Sequence, residues 1–595
     1  MTSPKHPKTR SCLQHGIFDE LTSFRELEAR VSGLATKQQC GDVFEVFVEA
    51  YLATLAIEKA KDVWPGARVP HSLRKRLALP GADKGVDGVF ETQLGEYHAY
   101  QAKFRTGRPS LTWDELSTFI GLADRVDQRL LITNCDSFSN VLEARTGFYA
   151  ITGNDLDKLE PQDLAVIRAW LDGARLERRP KTSLPHQVEA LDKILPALRD
   201  NDRATVLMAC GTGKTLVALR AAERRGARNI LVLVPSLALL GQTLHEWARE
   251  TCWPLFAHLC VCSDPTVKPD NDELIVRPTD LDFPVTTDSA PVREFLAAKF
   301  DGPKLVFATY QSAHVVAAGM KKGDAFDLAI FDEAHKTAGR EGIHFGFALN
   351  DTNLPINKRL FLTATPRHYD VRQRDKEGDA MLVYSMDVPE IFGPVAHKLT
   401  FGEAARRGVI CDYKVIISVV TSEMVNDHLL RHGEVIVKGD TVKARHVANQ
   451  LALRAAVEKH GVSKIFTFHR SVASAAAFTS DGSEGISNHL SGFAAYHVNG
   501  AMPTSERENI MTEFRTAARA VISNAKCLTE GVDVPAVDMV AFLTPKRSRV
   551  DIVQATGRAM RKAPSKTTGY VLIPLFVEQA KGETIEAGSR PHRVR

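Results

Sequence analysis

Residues 204–222 read ATVLMACGTGKTLVALRAA, and this stretch decides the fold class of the chain. A run of β-forming residues leads through a glycine-rich turn into a segment with helical periodicity. Gly211 and Gly213 allow backbone N–H groups to curl around phosphates at a helix N-terminus. Lys214 can reach the outer phosphates, and Thr215 can ligate Mg²⁺. Methionine replaces the first glycine of the GxxxxGK[ST] pattern, but the chemistry-bearing residues remain, so we predict a nucleotide phosphate site.

A second functional element follows about 120 residues downstream, where residues 327–335 read DLAIFDEAH. Four apolar residues of a buried strand end in two consecutive carboxylates. Asp332 can hold Mg²⁺, and Glu333 can position and polarise an attacking water. A strand that ends in one solvated acid is common, but two carboxylates behind a phosphate loop favour nucleotide hydrolysis.

The pattern of the whole chain predicts more than one domain. Its 595 residues are too many for a single core. From residue 205 onward, short β-rich runs alternate with helical segments, as in doubly wound parallel sheets, and a second such series begins near Tyr413. Between the first strands, residues 263–290 are rich in Asp, Pro and Thr, which predicts an irregular surface insertion.

Composition places few limits on the partner. A net charge of +4 is nearly neutral for this length, so a nucleic-acid surface would have to come from local clusters. The nine cysteines are scattered without zinc-binding spacing, which favours reduced thiols in the cytoplasm. Because no apolar run is long enough to span a bilayer, we expect a cytoplasmic protein with no membrane partner.

The two motifs and their surroundings resemble those of superfamily 2 helicases and translocases with a DEAH-type second motif, from Leu184 to about Phe576. The resemblance implies that ATP is held between two RecA-like domains. It also implies that Gln187, in LPHQ, contacts the nucleobase. Three further stretches match motifs that contact the nucleic acid or couple hydrolysis to domain movement: PSL at 235–237, TYQS at 309–312 and TAT at 363–365.

Two motifs in the second half complete this resemblance: TEGVDVP at 529–535 and QATGRAMR at 554–561. They imply a nucleotide-binding role for Asp533 and catalytic roles for Gln554, Arg558 and Arg561. Phosphoryl transfer develops charge on the equatorial oxygens, and an arginine delivered from a second domain stabilises that charge. Arginines on an ordinary surface helix would have no such meaning, but these lie within a QxxGRxxR pattern.

The N-terminal part carries a different pattern. Residues 97–104, YHAYQAKF, alternate like a strand and place Gln101 and Lys103 on one face, shortly after Asp87. This arrangement resembles the PD-(D/E)xK nucleases, and its QxK variant resembles the Mrr-type restriction nucleases. The resemblance implies that Asp87 and Gln101 ligate Mg²⁺ and that Lys103 orients or activates water. Glu45, on a predicted helix over residues 41–62, would add a further carboxylate.

Gln101 leaves three interpretations open. An amide oxygen can ligate Mg²⁺ but adds no negative charge, so metal affinity should be weak. The domain is then either an active nuclease or a degenerate nuclease fold that only binds DNA. In the third interpretation, the alternating strand is a coincidence. Two basic groups nearby fit phosphate contacts and a solvated surface equally well: Arg74-Lys75-Arg76, and Lys103 with Arg105 and Arg108.

The predicted fold class is α/β, with a restriction-endonuclease-like domain followed by two RecA-like doubly wound parallel-sheet domains. The predicted parts are a loosely attached lead-in (1–37), an Mrr-like nuclease domain (38–170), a basic linker (171–182), a first motor domain that binds ATP (183–400), a second motor domain (401–580) and a flexible or truncated tail (581–595).

A nuclease followed by a motor resembles the N-terminal half of type ISP restriction-modification enzymes. The leading hypothesis is an ATP-dependent DNA translocase or helicase coupled to an Mg²⁺-dependent endonuclease, acting on double-stranded DNA in restriction or phage defence. No NPPY- or DPPY-like motif occurs, so a separate methyltransferase or specificity subunit is expected, unless the chain is a fragment. The alternatives are a helicase for repair or plasmid maintenance with an inactive DNA-binding N-terminal module, and a truncated remnant of a larger enzyme.

Overall fold

The structure, a computed structural model, contains three β-sheets that follow one another along the chain. It describes residues 3–55, 57, 60–80, 85–143, 145, 147–262, 280–339, 345–368, 384–421, 423–425, 441–481, 485–525, 528, 537–544, 549–563 and 566–577. The first sheet is mixed, and all strand pairs of the other two are parallel. The predicted α/β fold class is confirmed.

The N-terminal domain is built on a five-stranded sheet in sequential order. Its strands are β1 (Asp62–Pro65), β2 (Gly88–Glu91), β3 (Tyr97–Lys103), β4 (Gln128–Thr133) and β5 (Tyr149–Ile151). Its helices are Thr9–Gln14, Phe24–Ser32, Lys37–Thr54, His71–Arg76, Trp113–Leu122, Asn140–Glu143, Gly153–Leu156 and Pro161–Leu171. Helix Lys37–Thr54 packs on one face of β3, through Phe44 against Phe104, and helix Trp113–Leu122 packs on the other face, through Phe119 against Ala99.

Two predictions for this domain were wrong. The first 37 residues are not loosely attached, because Phe18, Phe24 and Val31 are buried in the same core as helix Lys37–Thr54. The helix predicted over residues 41–62 begins and ends earlier, and Asp62 starts β1 instead. A helix start at residue 37 is explained by the capping box of Thr36 and Gln39, whose side chains satisfy each other's backbone N–H groups.

The first motor domain contains an eight-stranded sheet in the order β13-β6-β12-β11-β7-β10-β8-β9. Its strands are β6 (Arg203–Met208), β7 (Asn229–Val234), β8 (Ala257–Val261), β9 (Val285–Thr286), β10 (Lys304–Thr309), β11 (Leu328–Phe331), β12 (Arg359–Thr363) and β13 (Val395–Leu399). Its helices are Pro185–Asp200, Lys214–Arg225, Leu237–Glu250, Ser289–Ala297, Ala313–Gly319, Pro389–Phe392 and Phe401–Arg406. Helices cover both faces, so the central strands are mostly apolar and buried.

The second motor domain contains a six-stranded sheet in the order β14-β19-β18-β15-β17-β16. Its strands are β14 (Asp412–Thr421), β15 (Lys464–Phe468), β16 (Ala494–His497), β17 (Ala520–Asn524), β18 (Met539–Phe542) and β19 (Thr568–Val577). Its helices are Thr441–His460, Val472–Thr479, Thr504–Thr516 and Arg549–Ala559. Along the edge strand β14, Val415, Ile417 and Val419 share one face and are exposed, Ile417 by 61%.

Ion pairs join the N-terminal domain to the first motor domain. Arg249, on helix Leu237–Glu250, lies 2.9 Å from Glu160 and 3.0 Å from Asp163 of the N-terminal domain. From the predicted basic linker, Arg178 lies 2.7 Å from Glu160 and also pairs with Asp163. The linker arginine is therefore part of a domain interface.

The insertion predicted at residues 263–290 is described from residue 280 onward, and that part is not a surface loop. Leu281 and Phe283 are buried, Val285–Thr286 forms β9 at the sheet edge, and helix Ser289–Ala297 follows. Among the described residues, no helix combines the length and apolar character that a membrane crossing requires.

Candidate nucleotide and nuclease sites

The glycine-rich turn joins β6 to helix Lys214–Arg225, as the sequence pattern predicts. Gly211 and Gly213 have φ angles of +81° and +80°, which an L side chain rarely adopts. A Cβ at Gly213 would also collide with the side-chain nitrogen of Gln187. That nitrogen donates to the carbonyl oxygen of Thr212 at 3.2 Å, so Gln187 supports the loop directly. His186 holds the same carbonyl oxygen, with its Nε2 2.9 Å away.

The two carboxylates lie at the carboxyl end of β11, beside this turn. Lys214 Nζ is 3.7 Å from Glu333 Oε1. Glu333 has a φ of +47°, a costly backbone conformation for a residue with a Cβ. His335 lies between two elements, with Nδ1 3.3 Å from Glu333 Oε2 and 3.0 Å from the hydroxyl of Thr363 at the end of β12. Glu333, predicted to act in hydrolysis, and Thr363 of the coupling motif therefore meet at the carboxyl ends of neighbouring parallel strands.

The pKa shifts of Lys214, Asp332 and Glu333 indicate which of these groups carry a charge. Burial would lower the pKa of Lys214, but the Glu333 carboxylate together with Cys210 and Asp332 outweighs it and raises that pKa. Burial and the neighbouring Glu333 raise the pKa of Asp332. Burial would raise the pKa of Glu333 as well, but Lys214 and His335 hold it below its usual range. Lys214 is thus cationic and Glu333 anionic at neutral pH.

Helix Arg549–Ala559 of the second motor domain, which contains most of the QATGRAMR motif, packs directly on the glycine-rich turn. A Cβ at Gly557 would lie 2.5 Å from the Cβ of Cys210, which is closer than real side chains approach. The Cγ of Arg561 lies 3.6 Å from the position of a Cβ at Gly211. Arg558 is buried and interacts electrostatically with Cys210 of the turn, and Gln554 of the same helix is buried as well. The structure therefore brings Arg558 and Arg561 close to the glycine-rich turn from a second domain.

One carboxylate at this site was missed by the sequence analysis. Glu246, on helix Leu237–Glu250, lies beside the Thr215 hydroxyl and close enough to Arg561 to interact with it, while burial raises its pKa. It follows no strand and belongs to no motif, so only the position of its helix reveals it. The predicted nucleotide residue Asp533 and its motif lie outside the described residues.

In the N-terminal domain, β2 and β3 bring Asp87 and Gln101 together. The backbone N–H of Asp87 donates to Tyr100 at 3.0 Å, and the Asp87 carboxylate accepts from the N–H of Ala102 at 2.7 Å. Gln101 is almost fully buried, and its side-chain oxygen has no hydrogen-bond partner in the described part of the chain. Burying an unsatisfied acceptor is unfavourable unless a ligand takes it up. Lys103 is half-buried on the same strand face.

Glu45 lies across β3 from Gln101, and like Asp87 it interacts electrostatically with the buried Tyr100. Its helix packs on the face of β3 that carries Phe104, opposite the face of Gln101, and its carboxylate lies 3.3 Å from His6 Nε2. Within the described ranges no three His, Cys, Asp or Glu side chains converge as a metal site. Asp87 and the oxygen of Gln101, partnerless among the described residues, offer one carboxylate and one amide, which are donor types that Mg²⁺ accepts.

The basic residues near this site are mostly engaged inside the domain. Arg108 is buried and pairs with Glu28, Asp136 and Asp157 at 2.8–2.9 Å. Arg105 pairs with Glu115 at 2.7 Å, and Arg74 donates to the backbone carbonyls of Gly66 and Pro80. For Arg108, neither a phosphate contact nor a solvated face fits such contacts, whereas Arg105 remains partly exposed.

Three protein families match successive parts of the chain. A restriction endonuclease family matches residues 53–168, the res subunit of type III restriction enzymes matches 181–368, and a helicase conserved C-terminal domain matches 444–563. The matched ranges fall on the three sheets described above.

Similar proteins agree with this order of domains. A probable helicase of African swine fever virus (isolate Pretoriuskop) is 30% identical over 401 residues, which is 66% of this chain and 41% of the viral protein. The structure of the ATP-dependent type ISP restriction-modification enzyme LlaBIII bound to DNA superimposes with a TM-score of 0.76 and 26% identity, covering 94% of this chain and 38% of that one. The chain thus spans about two fifths of the length of both relatives.

Proposed function

We propose that this chain, a superfamily 2 helicase with an N-terminal Mrr-like restriction endonuclease domain, moves along double-stranded DNA by hydrolysing ATP and cleaves that DNA. The observation that carries the proposal is the packing of helix Arg549–Ala559 on the phosphate loop of the other motor domain. An ATP site completed by two domains changes shape when they separate, which is how hydrolysis becomes movement.

Each residue at this site takes a role from its position. Lys214 binds the outer phosphates, Glu333 accepts a proton from the attacking water, and Arg558 and Arg561 stabilise the charge that develops on the phosphoryl oxygens. Thr215 and Asp332 would hold Mg²⁺, which neutralises phosphate charge when bound. Gln187, through Thr212, keeps the loop in shape for the nucleotide. We assign Gln554, on the same helix as Arg558, to the same phosphates.

The nuclease chemistry is assigned to Asp87, Gln101 and Lys103. Asp87 and Gln101 would hold Mg²⁺, and Lys103 would orient the water beside the scissile phosphate. A biological role in restriction or phage defence, a cytoplasmic location and a separate methyltransferase or specificity chain belong to the same proposal. DNA is favoured as the track because LlaBIII was solved with DNA bound.

The motor assignment is tested with Lys214→Ala. We expect DNA-stimulated ATP hydrolysis to fall by at least about 100-fold, because a preorganised cation at the phosphates is lost. Lys193→Ala is the matched control, since this exposed lysine pairs only locally with Glu189. Equal ATPase rates in the two variants would refute the assignment.

A second candidate function is supported by Gln101. With one carboxylate and one amide as donors, the N-terminal domain is also suited to binding DNA without cutting it. Mg²⁺-dependent cleavage that disappears in Asp87→Ala and in Lys103→Ala, while ATPase activity persists, selects the nuclease. Lys61→Ala, at an exposed lysine paired with Glu91, is the control for Lys103. DNA binding without cleavage in the unmodified protein selects the binding module.

A further inference from the structure

Asp280–Phe283 is a short segment of the insertion predicted at residues 263–290. It contacts all three domains, and we call it the strap. Its first contact is with the nuclease domain. The N–H of Ala150, in β5, donates to the carbonyl oxygen of Leu281 at 3.2 Å. Because β5 is the edge of the five-stranded sheet, the strap adds to that edge as a further extended segment would.

The second contact anchors the strap to the first motor domain. Phe283 is buried and packs on helix Leu237–Glu250, where a Cβ at Gly241 would lie 3.3 Å from its ring. Asp282 Oδ1 lies 2.9 Å from His245 Nε2 of the same helix. The chain then continues into β9, whose Thr286 carbonyl accepts from the N–H of Cys262 at 3.1 Å. The strap is therefore fixed at its C-terminal end.

The third contact reaches the second motor domain. Thr504, the first residue of helix Thr504–Thr516, donates its hydroxyl to Asp280 Oδ2 at 2.9 Å. Arg507 holds that hydroxyl from the other side at 3.0 Å. Nearby, Lys158 of the nuclease domain has its pKa raised by Asp155 foremost, and also by Glu508 of the same helix and by Asp282. Opposite charges from three domains thus meet at the strap.

We propose that the strap transmits movement of the second motor domain to the nuclease domain. The proposal rests on the proposed function, because it takes the two motor domains to close on ATP. Helix Arg549–Ala559 and Thr504 belong to the same domain, so a movement that brings Arg558 to the phosphate loop also brings Thr504 to Asp280. The displacement of Asp280 is transmitted through Leu281 to β5, and so to the sheet that carries Asp87 and Gln101.

Hydrogen exchange of the full chain tests the link at the amide that forms it. With Mg²⁺ and the non-hydrolysable analogue AMP-PNP, the N–H of Ala150 should exchange about fivefold more slowly than without nucleotide, as one added hydrogen bond predicts. In Asp280→Ala and in Thr504→Val, the slowing should disappear. Asp288→Ala, at an exposed aspartate whose side chain caps no helix amide, should retain it.

The experiment distinguishes a failure of the strap proposal from a failure of the proposed function. Slowing that persists in either Asp280→Ala or Thr504→Val, or its absence in the unmodified protein with AMP-PNP bound, would overturn the link. The DNA-stimulated ATPase rate is measured on the same samples. A protein without ATPase activity refutes the proposed function, whereas intact ATPase with unchanged exchange at Ala150 refutes the strap alone.

Discussion

At the scale of single residues, Glu333 combines an unusual backbone conformation with a depressed pKa, and both features fit a base that stays ionised. In Glu333→Gln, we expect ATP binding to persist and kcat for hydrolysis to fall by about 10²–10⁴-fold, because the proton acceptor is lost. Equilibrium binding of a fluorescent ATP analogue and steady-state ATPase assays measure the two quantities. Loss of binding equal to the loss of kcat would contradict the assignment.

Gln101 decides whether the nuclease site binds metal well. In Gln101→Glu, the added negative charge should lower the Mg²⁺ concentration for half-maximal cleavage by about tenfold. Without metal, the same buried carboxylate should lower the Tm, and Mg²⁺ should restore it. Gln101→Ala is the control, and its Tm should not respond to Mg²⁺. A Tm of Gln101→Glu that ignores Mg²⁺ would place the metal elsewhere.

The residues of the phosphate loop and of the two carboxylates could be predicted because each lies in a local strand-turn or strand-end pattern. Glu246 and His186 could not, since each reaches the site from the side of a helix that its own sequence does not orient. The side of the sheet on which the helix of Glu45 packs could not be predicted either. Helical spacing identifies a buried face but does not say on which side of the sheet that face packs.

At the scale of elements, the close approach of helix Arg549–Ala559 to the phosphate loop depends on Gly557. Gly557→Ala should hinder this packing by about 1–3 kcal/mol and lower the ATPase rate on the order of tenfold, with the Tm almost unchanged. Gly402→Ala is the matched control, because a Cβ there meets no atom within 4 Å. Equal ATPase rates in the two variants would mean that the observed contact is not the hydrolytic one.

Arg108 joins several elements of the nuclease domain through Glu28 on a helix, Asp136 in a loop and Asp157 just after a helix. Arg108→Ala removes the buried cation from three partly buried carboxylates, two of which keep the exposed Arg25 as a cation. We therefore expect the free energy of unfolding to fall by about 3 kcal/mol. Urea denaturation followed by fluorescence measures the loss. Arg105→Ala, at a more exposed ion pair, should cost less than about 1 kcal/mol. Similar losses in the two variants would contradict this account.

At the scale of the whole molecule, partly exposed ion pairs hold the nuclease domain against the first motor domain. The Debye length falls from about 10 Å at 0.1 M salt to about 3 Å at 1 M, so these ion pairs are screened only at high salt. We expect calorimetry at low ionic strength to show the two domains unfolding together, and a separate nuclease transition at high ionic strength. Arg249→Ala should show the separate transition already at low salt. Coincident transitions under all conditions would mean that apolar contacts dominate the interface.

The order of the three sheets could be predicted because alternating strand and helix patterns recur along the chain. The contacts between domains could not, because Arg249 and the strap gain their partners only after each domain has folded. The insertion at residues 263–290 shows the difficulty, since its polar composition is typical of a surface loop, whereas Leu281 and Phe283 are buried between domains.

The exposed valine and isoleucine side chains of β14 have a practical consequence for handling the purified protein. An apolar strand at the edge of a sheet can pair with the same strand of another molecule. We therefore expect concentration-dependent turbidity, which light scattering measures. Ile417→Lys should suppress it without loss of ATPase activity. Crystallisation and storage buffers would have to be chosen with that strand in mind.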